Sequence, residues 1–259
     1  MTDVLSVRPL LTGTQKYDKS WSTHNNGSGT IITAPILAYL IETRNGRILY
    51  DVGCDYNKVI DAETYFQTND FPYGPPQMTP EQRVPSYLER LGISPHDIDL
   101  IFIGHLHYDH IGGIGDFPNS DIHIQEKELL AAREHSTPVC FSDDIHRIEA
   151  GKMIIMDGEY TITNGIQTIS TPGHTAGHMS LHIDLPNGKP IILCGDAADL
   201  EENIRDEIAP GLCWKDQYQT AINSIRVLKD ISKREQAALW PNHDFNFWRK
   251  LRPFPDFYN

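Results

Sequence analysis

Short apolar, β-branched runs recur along the chain between turn residues, a pattern that predicts many short strands with helices set among them. Val4 to Leu11 is the first run, and the polar stretch after it ends in Asn25-Asn26-Gly27-Ser28-Gly29, which has the chemistry of a loop. Ile36 to Glu42 and Arg47 to Asp51 flank Arg44-Asn45-Gly46 and predict a hairpin. Tyr56 to Pro76 has no period and is rich in aromatics, which predicts a long irregular loop. Thr79-Pro80-Glu81-Gln82 opens a predicted helix with threonine as N-cap and proline in the first turn. Val84, Leu88 and Leu91 supply its apolar face and Gly92 closes it. Ile98 to Gly104 is a short buried strand by composition.

Beyond it, Asp121 to Gln125 predicts a strand, Glu126 to Glu134 a helix, and Ser136 to Arg147 an irregular segment. Met153 to Met156, Tyr160 to Thr163 and Ile166 to Ser170 are separated by Asp157-Gly158 and Asn164-Gly165, and together predict half of a β-sandwich. Further strands are expected over Met179 to Asp184, Pro190 to Cys194 and Gln236 to Trp240. A helix over Gln217 to Ser232 carries Ala221, Ile225 and Leu228 at helical spacing. The aromatic tail from Phe245 to Tyr258 is expected to pack on the domain or on a partner subunit.

Composition narrows the class. The 259 residues contain no linker-like stretch, so one domain spanning 1–259 is expected. With 39% hydrophobic and 22% charged residues, and no apolar run approaching the about 20 residues of a membrane helix, the chain reads as soluble, with no membrane span. Its first residues lack the pattern of a secretory signal, which favours the cytoplasm. Acidic residues outnumber basic ones 35 to 22 and no basic stripe appears, which argues against nucleic acid as a partner. Cys54, Cys140, Cys194 and Cys213 are far apart, so neither a zinc ribbon nor a disulfide scaffold is expected.

The chemistry is concentrated in Gly104-His105-Leu106-His107-Tyr108-Asp109-His110-Ile111-Gly112-Gly113. Imidazole and carboxylate suit zinc and similar divalent ions, and four such ligands packed this tightly can serve two neighbouring ions. Three more strand ends repeat the theme. Thr171-Pro172-Gly173-His174 follows one strand, Gly195-Asp196 another, and Pro241-Asn242-His243 a third. His178, His182 and His123 alternate with apolar neighbours and read as packing or hydrogen-bonding histidines. Asp51, at a strand end before a tight turn, reads as a support for the ligands.

In order and spacing, His105-x-His107-x-Asp109-His110, then His174, Asp196 and His243, resemble the metallo-β-lactamase superfamily, across most of the chain. The length, Met78-Thr79-Pro80-Glu81, the Thr171–His174 turn and Gly195-Asp196-Ala197 are similar to the N-acyl-homoserine lactonases within it. The resemblance implies an α+β fold, the four-layer αβ/βα sandwich. It implies two divalent ions, zinc foremost with iron, manganese or cobalt also suited, and a possible homodimer. His105, His107 and His174 would hold the first ion, Asp109, His110 and His243 the second, and Asp196 would bridge. The implied reaction is the opening of a lactone or similar cyclic ester by a metal-bridging hydroxide, with Asp109 as proton shuttle. A glyoxalase II-type thioesterase or another hydrolase of this fold is the alternative. Trp21, Tyr65, Phe66, Phe71 and Phe141 are candidate walls for an apolar substituent. One position departs from those lactonases: their tyrosine three residues beyond the bridging aspartate is Asp199 here. An ionised carboxylate cannot donate a hydrogen bond, so either Tyr218 takes that role or the substrate differs.

Overall fold

A computed structural model describes residues 2–134 and 139–259. Residues 136–138 of the expected irregular segment lie outside the described residues. The strands are β1 (Val4–Asp18), β2 (Ile31–Thr43), β3 (Gly46–Tyr50), β4 (Leu100–Phe102), β5 (Asp121–Gln125), β6 (Lys152–Met156), β7 (Thr161–Thr163), β8 (Ile166–Ser170), β9 (Met179–Ile183), β10 (Ile191–Leu193) and β11 (Ala238–Trp240). Among the described residues β1 to β6 form one sheet in sequence order, and the second has the order β11-β10-β9-β8-β7. The helices are α1 (Tyr56–Ile60), α2 (Ala62–Tyr65), α3 (Val84–Arg90), α4 (Tyr108–Ile111), α5 (Glu126–Glu134), α6 (Ser142–Ala150), α7 (Glu201–Asp206), α8 (Tyr218–Glu235) and α9 (Phe245–Trp248).

Three apolar clusters set the layers. Val7, Tyr39, Ile41 and Phe102 of the first sheet meet Ile166, Leu181, Ile183 and Leu193 of the second, which makes the core between the sheets. Val84 and Leu88 of α3, Leu129 of α5 and Ile145 and Ile148 of α6 pack with the first sheet's other face. Leu228 of α8 closes the outer face of the second sheet with Ile192 and Ile169. The result is helices, sheet, sheet, helices, the four layers implied by the resemblance.

Several expected elements change. The first strand runs to Asp18 rather than Leu11, because β1 pairs with β2 from Val4↔Thr43 to Asp18↔Ile31. The expected half-sandwich is split. β6 pairs in parallel with β5 in the first sheet, so Asp157-Gly158 carries the chain between sheets and forms no hairpin. The loop after Tyr56 begins with α1 and α2, and the segment expected to be irregular contains α6. The helix expected from Thr79 is a 3-10 turn over Pro80–Gln82 followed by α3. Arg83, with ψ 140°, separates them, since Pro85 lacks the N–H a continuous helix needs. The aromatic tail packs on its own domain: Tyr258 bridges to Val7, and its ring lies 4.8 Å from that of Trp240. All four cysteines are free.

Candidate metal centre

β8 and β10 each run antiparallel to β9, and β11 runs parallel to β10. Their C-terminal ends therefore lie along one edge of the second sheet. His174 follows β8, Asp196 follows β10 and His243 follows β11, while the end of β4 brings His105 to His110 to the same edge from the first sheet. Two glycine sites permit this closeness. A Cβ on Gly112 would come within 2.2 Å of the Asp55 backbone nitrogen, and one on Gly195, at φ +54°, within 2.5 Å of Tyr50 Oη.

The seven residues form two adjoining sets, linked by the contacts of Asp196 to His110 and His243. His105, His107, His174 and Asp196 offer ligand atoms within 4.8 Å of one another, as do Asp109, His110 and His243. Asp196 Oδ2 lies 3.4 Å from His174 Nε2, 3.7 Å from His105 Nε2 and 3.2 Å from His243 Nε2, and its Oδ1 lies 3.4 Å from His110 Nε2. Asp109 Oδ2 is 3.7 Å from both His110 Nε2 and His243 Nε2. Ligand atoms about 2.0–2.1 Å from one tetrahedral ion stand roughly 3.3 Å apart, so this spacing suits cations. Unused donor atoms agree. Both ring nitrogens of His105 and Nε2 of His110 are buried without a hydrogen-bond partner, a costly state unless a cation takes the lone pair.

Supporting contacts choose which nitrogen faces inward. His110 Nδ1 donates to Asp51 Oδ2 at 2.7 Å, and Asp51 Oδ1 accepts from Gly104 N–H at 2.9 Å, so Asp51 has the supporting role expected of it. His174 Nδ1 donates to Leu212 O at 2.8 Å and His243 Nδ1 to Pro35 O at 2.8 Å. All three therefore turn Nε2 toward the cluster. His107 instead turns Nδ1 inward, 3.0 Å from His174 Nε2. Glu128 on α5 ties the loops together by accepting Leu106 N–H at 3.2 Å and Gly177 N–H at 2.8 Å. His178 has no free nitrogen, since Nε2 accepts Asp196 N–H at 2.9 Å and Nδ1 bonds Thr171 Oγ1 at 2.8 Å.

Charge and burial oppose each other here. Burial drives His105 and His107 well below the usual imidazole range. Burial also works against a charged His243, but Asp196, Asp199 and Asp109 overcome it and raise His243 to about 10. In return His243, His110 and His105 hold Asp196 well below the usual carboxylate range despite its burial. The buried carboxylates thus call for positive charge beside them, which divalent cations would supply.

A cavity of about 60 Å³ opens beside the cluster, with Trp21, Phe71, Asp199, Tyr17, Gln15 and Tyr108 in its wall. It shares Trp21, His107, His174 and Leu212 with a wider apolar groove of about 590 Å³ that extends to Leu106, Ala131, Cys140 and Trp214. Of the residues expected to bind substrate, Trp21, Phe71 and Asp199 line the cavity. Phe66 and Phe141 stand a layer behind, with ring centres 5.4 and 5.8 Å from Tyr108. Tyr65 is further out, its ring centre 5.8 Å from Phe141. Tyr218 does not line either space. It stacks on His24 at 3.5 Å and donates to Asp216 Oδ1 at 3.2 Å. The sequence reading missed Gln15 and Tyr17. Their signal was the period-two alternation with exposed Lys16 on the part of β1 that looked like a loop.

The metallo-beta-lactamase superfamily model matches residues 32–243. The chain belongs to the metallo-beta-lactamase superfamily. Within it, the chain is similar to the N-acyl homoserine lactonase of Bacillus thuringiensis, with 34% identity over 233 residues, 88% of this chain and 89% of that one. It is 28% identical to the N-acyl homoserine lactonase AttM of Rhizobium radiobacter over 100% of both chains. Its backbone matches an N-acyl homoserine lactone hydrolase solved with the product N-hexanoyl-L-homoserine bound at the catalytic metal centre. The TM-score is 0.89 at 31% identity, over 99% of this chain and 100% of that one.

Proposed function

We propose that residues 1–259 act as one metal-dependent hydrolase domain that opens the ring of N-acyl homoserine lactones. The observation that carries this reading is the pair of donor sets meeting at Asp196 beside the cavity, in a chain similar to lactonases over nearly its whole length. His105, His107 and His174 are assigned to one ion, Asp109, His110 and His243 to the other, and Asp196 to both. Two divalent ions, zinc foremost, would supply Lewis acidity to the lactone carbonyl and acidify the attacking water.

The residues of the chain then have separate tasks. In the ring opening, the oxygen of water bonds to the carbonyl carbon and the acyl C–O bond of the ring breaks. Asp109, on the cavity wall and the most exposed of the ligand carboxylates at 14%, carries the water's proton to the departing ring oxygen. Trp21, Phe71 and Tyr108 exclude bulk water, and the apolar groove accommodates the acyl chain. Zinc- or cobalt-loaded protein is assayed by proton release on acyl homoserine lactones, simple γ-lactones and a thioester. Ring opening that needs His107 is expected, whereas thioester cleavage without any lactone opening would overturn the reading.

A further inference from the structure

The cavity beside the cluster holds two hydrogen-bond acceptors that the protein leaves unanswered. Asp199 Oδ1 and Gln15 Oε1 are buried, without hydrogen-bond partners, on residues 5% and 6% exposed, and both residues line the cavity. The Gln15 orientation is fixed. Its Nε2 donates to Gly74 O at 2.9 Å and to Lys16 O at 3.2 Å, so a flipped amide would set its oxygen against two carbonyls. The Ser22 hydroxyl interacts with the Asp199 side chain and lies 2.8 Å from the Tyr17 phenol oxygen. Buried acceptors on a cavity wall call for donors on the group that fills the cavity.

Position says which donor. An oxygen of Asp199 lies within 4.8 Å of ligand atoms of Asp196 and His243. A carbonyl carbon seated at those atoms carries its α-nitrogen about 2.5 Å further on, two bonds away. Resting on the lactonase reading above, we propose that Asp199 is a specificity determinant whose Oδ1 accepts the N–H of a secondary amide on the carbon next to the ring carbonyl. Lactones of the same ring that lack that N–H are then discriminated against, through Asp199.

The test compares two substrates with the same ring and acyl chain, the α-acylamino-γ-butyrolactone and its α-acyloxy analogue, in which oxygen replaces N–H. Ring-opened product is followed by chromatography on zinc-loaded protein. Wild type is expected to favour the amide by roughly 100-fold in kcat/KM, through KM, and Asp199→Ala to cut that ratio below roughly tenfold. Asp199→Asn, which keeps an oxygen and the shape that Ser22 contacts, gives an intermediate ratio and serves if the alanine variant does not fold. Equal rates on the two lactones in wild type, or a ratio unchanged in both variants, overturn the proposal and leave the lactonase reading standing. If neither lactone opens, the lactonase reading falls and takes this proposal with it.

Discussion

The protein buries two clusters of charge, separated by a layer of aromatic rings, and they differ in one respect. Around Lys58, charge meets charge. Its Nζ, 3% exposed, lies 2.9 Å from Asp143 Oδ1 and 2.7 Å from Asp144 Oδ2, over the faces of Phe141 and Tyr65, while Arg147 bonds Asp55 at 2.6 Å. Around Asp196, imidazoles crowd together with buried nitrogens that bond to nothing. The Lys58 cluster joins α1 to α6, and each of its three carboxylates has a cationic nitrogen of the protein within 2.9 Å. The Asp196 cluster is incomplete without something from outside. Burial and charge are common to both; what sets the Asp196 cluster apart is several unanswered imidazole nitrogens that face one another with no cation of the protein beside them.

The contrast can be broken at either cluster. The largest effect is expected at the open one: His107→Ala should lose more than about 1000-fold in lactone turnover with little change in thermal melting of the metal-free protein, and turnover within tenfold of wild type would be incompatible with the assignment. At the closed cluster, Lys58→Met leaves two carboxylates facing each other. Urea unfolding should then show a loss of about 3 kcal/mol, with kcat of the folded fraction nearly intact. An unchanged midpoint would mean that the cluster does not hold α1 to α6.

A smaller effect depends on pH. Burial pushes Asp144 up to about 6 against the pull of Lys58. The folded value exceeds the unfolded one of about 3.9, so the bound proton stabilises the fold below about pH 4, and that contribution is lost as pH rises through about 6. Against Asp144→Asn, wild type should lose roughly 2–3 kcal/mol between about pH 4 and about pH 7. Parallel profiles would contradict this. The smallest change is at Asp51, whose carboxylate orients His110. Asp51→Asn should weaken metal affinity about 10–100-fold by competition with a chelating dye, and an unchanged affinity would deny Asp51 that role.

The cluster of seven candidate donors was legible because each member sits in a short local motif at the end of an apolar run, and period-two patterning finds such runs. Pairing partners are not local, and there the reading failed. Nothing in Lys152–Met156 states that β6 joins β5 rather than β7, and Thr12 to Lys16 becomes strand only because β2 lies beside it. α6 did leave a signal in Asp143 and Asp144 at its start, buried Ile145 and Ile148 three apart, and Gly151 after its end. The cavity wall was the least legible part. Gln15, Tyr17 and Asp199 meet only when both sheets are in place, and a tyrosine elsewhere in the chain, Tyr218, had the right chemistry in the wrong location.

The donor atoms ride on strand ends of both sheets, and the last of them, His243, follows β11 near the end of the chain. The set of His105, His107, His174 and Asp196 therefore needs no strand beyond β10, whereas the set of Asp109, His110 and His243 forms only once β11 has paired with β10.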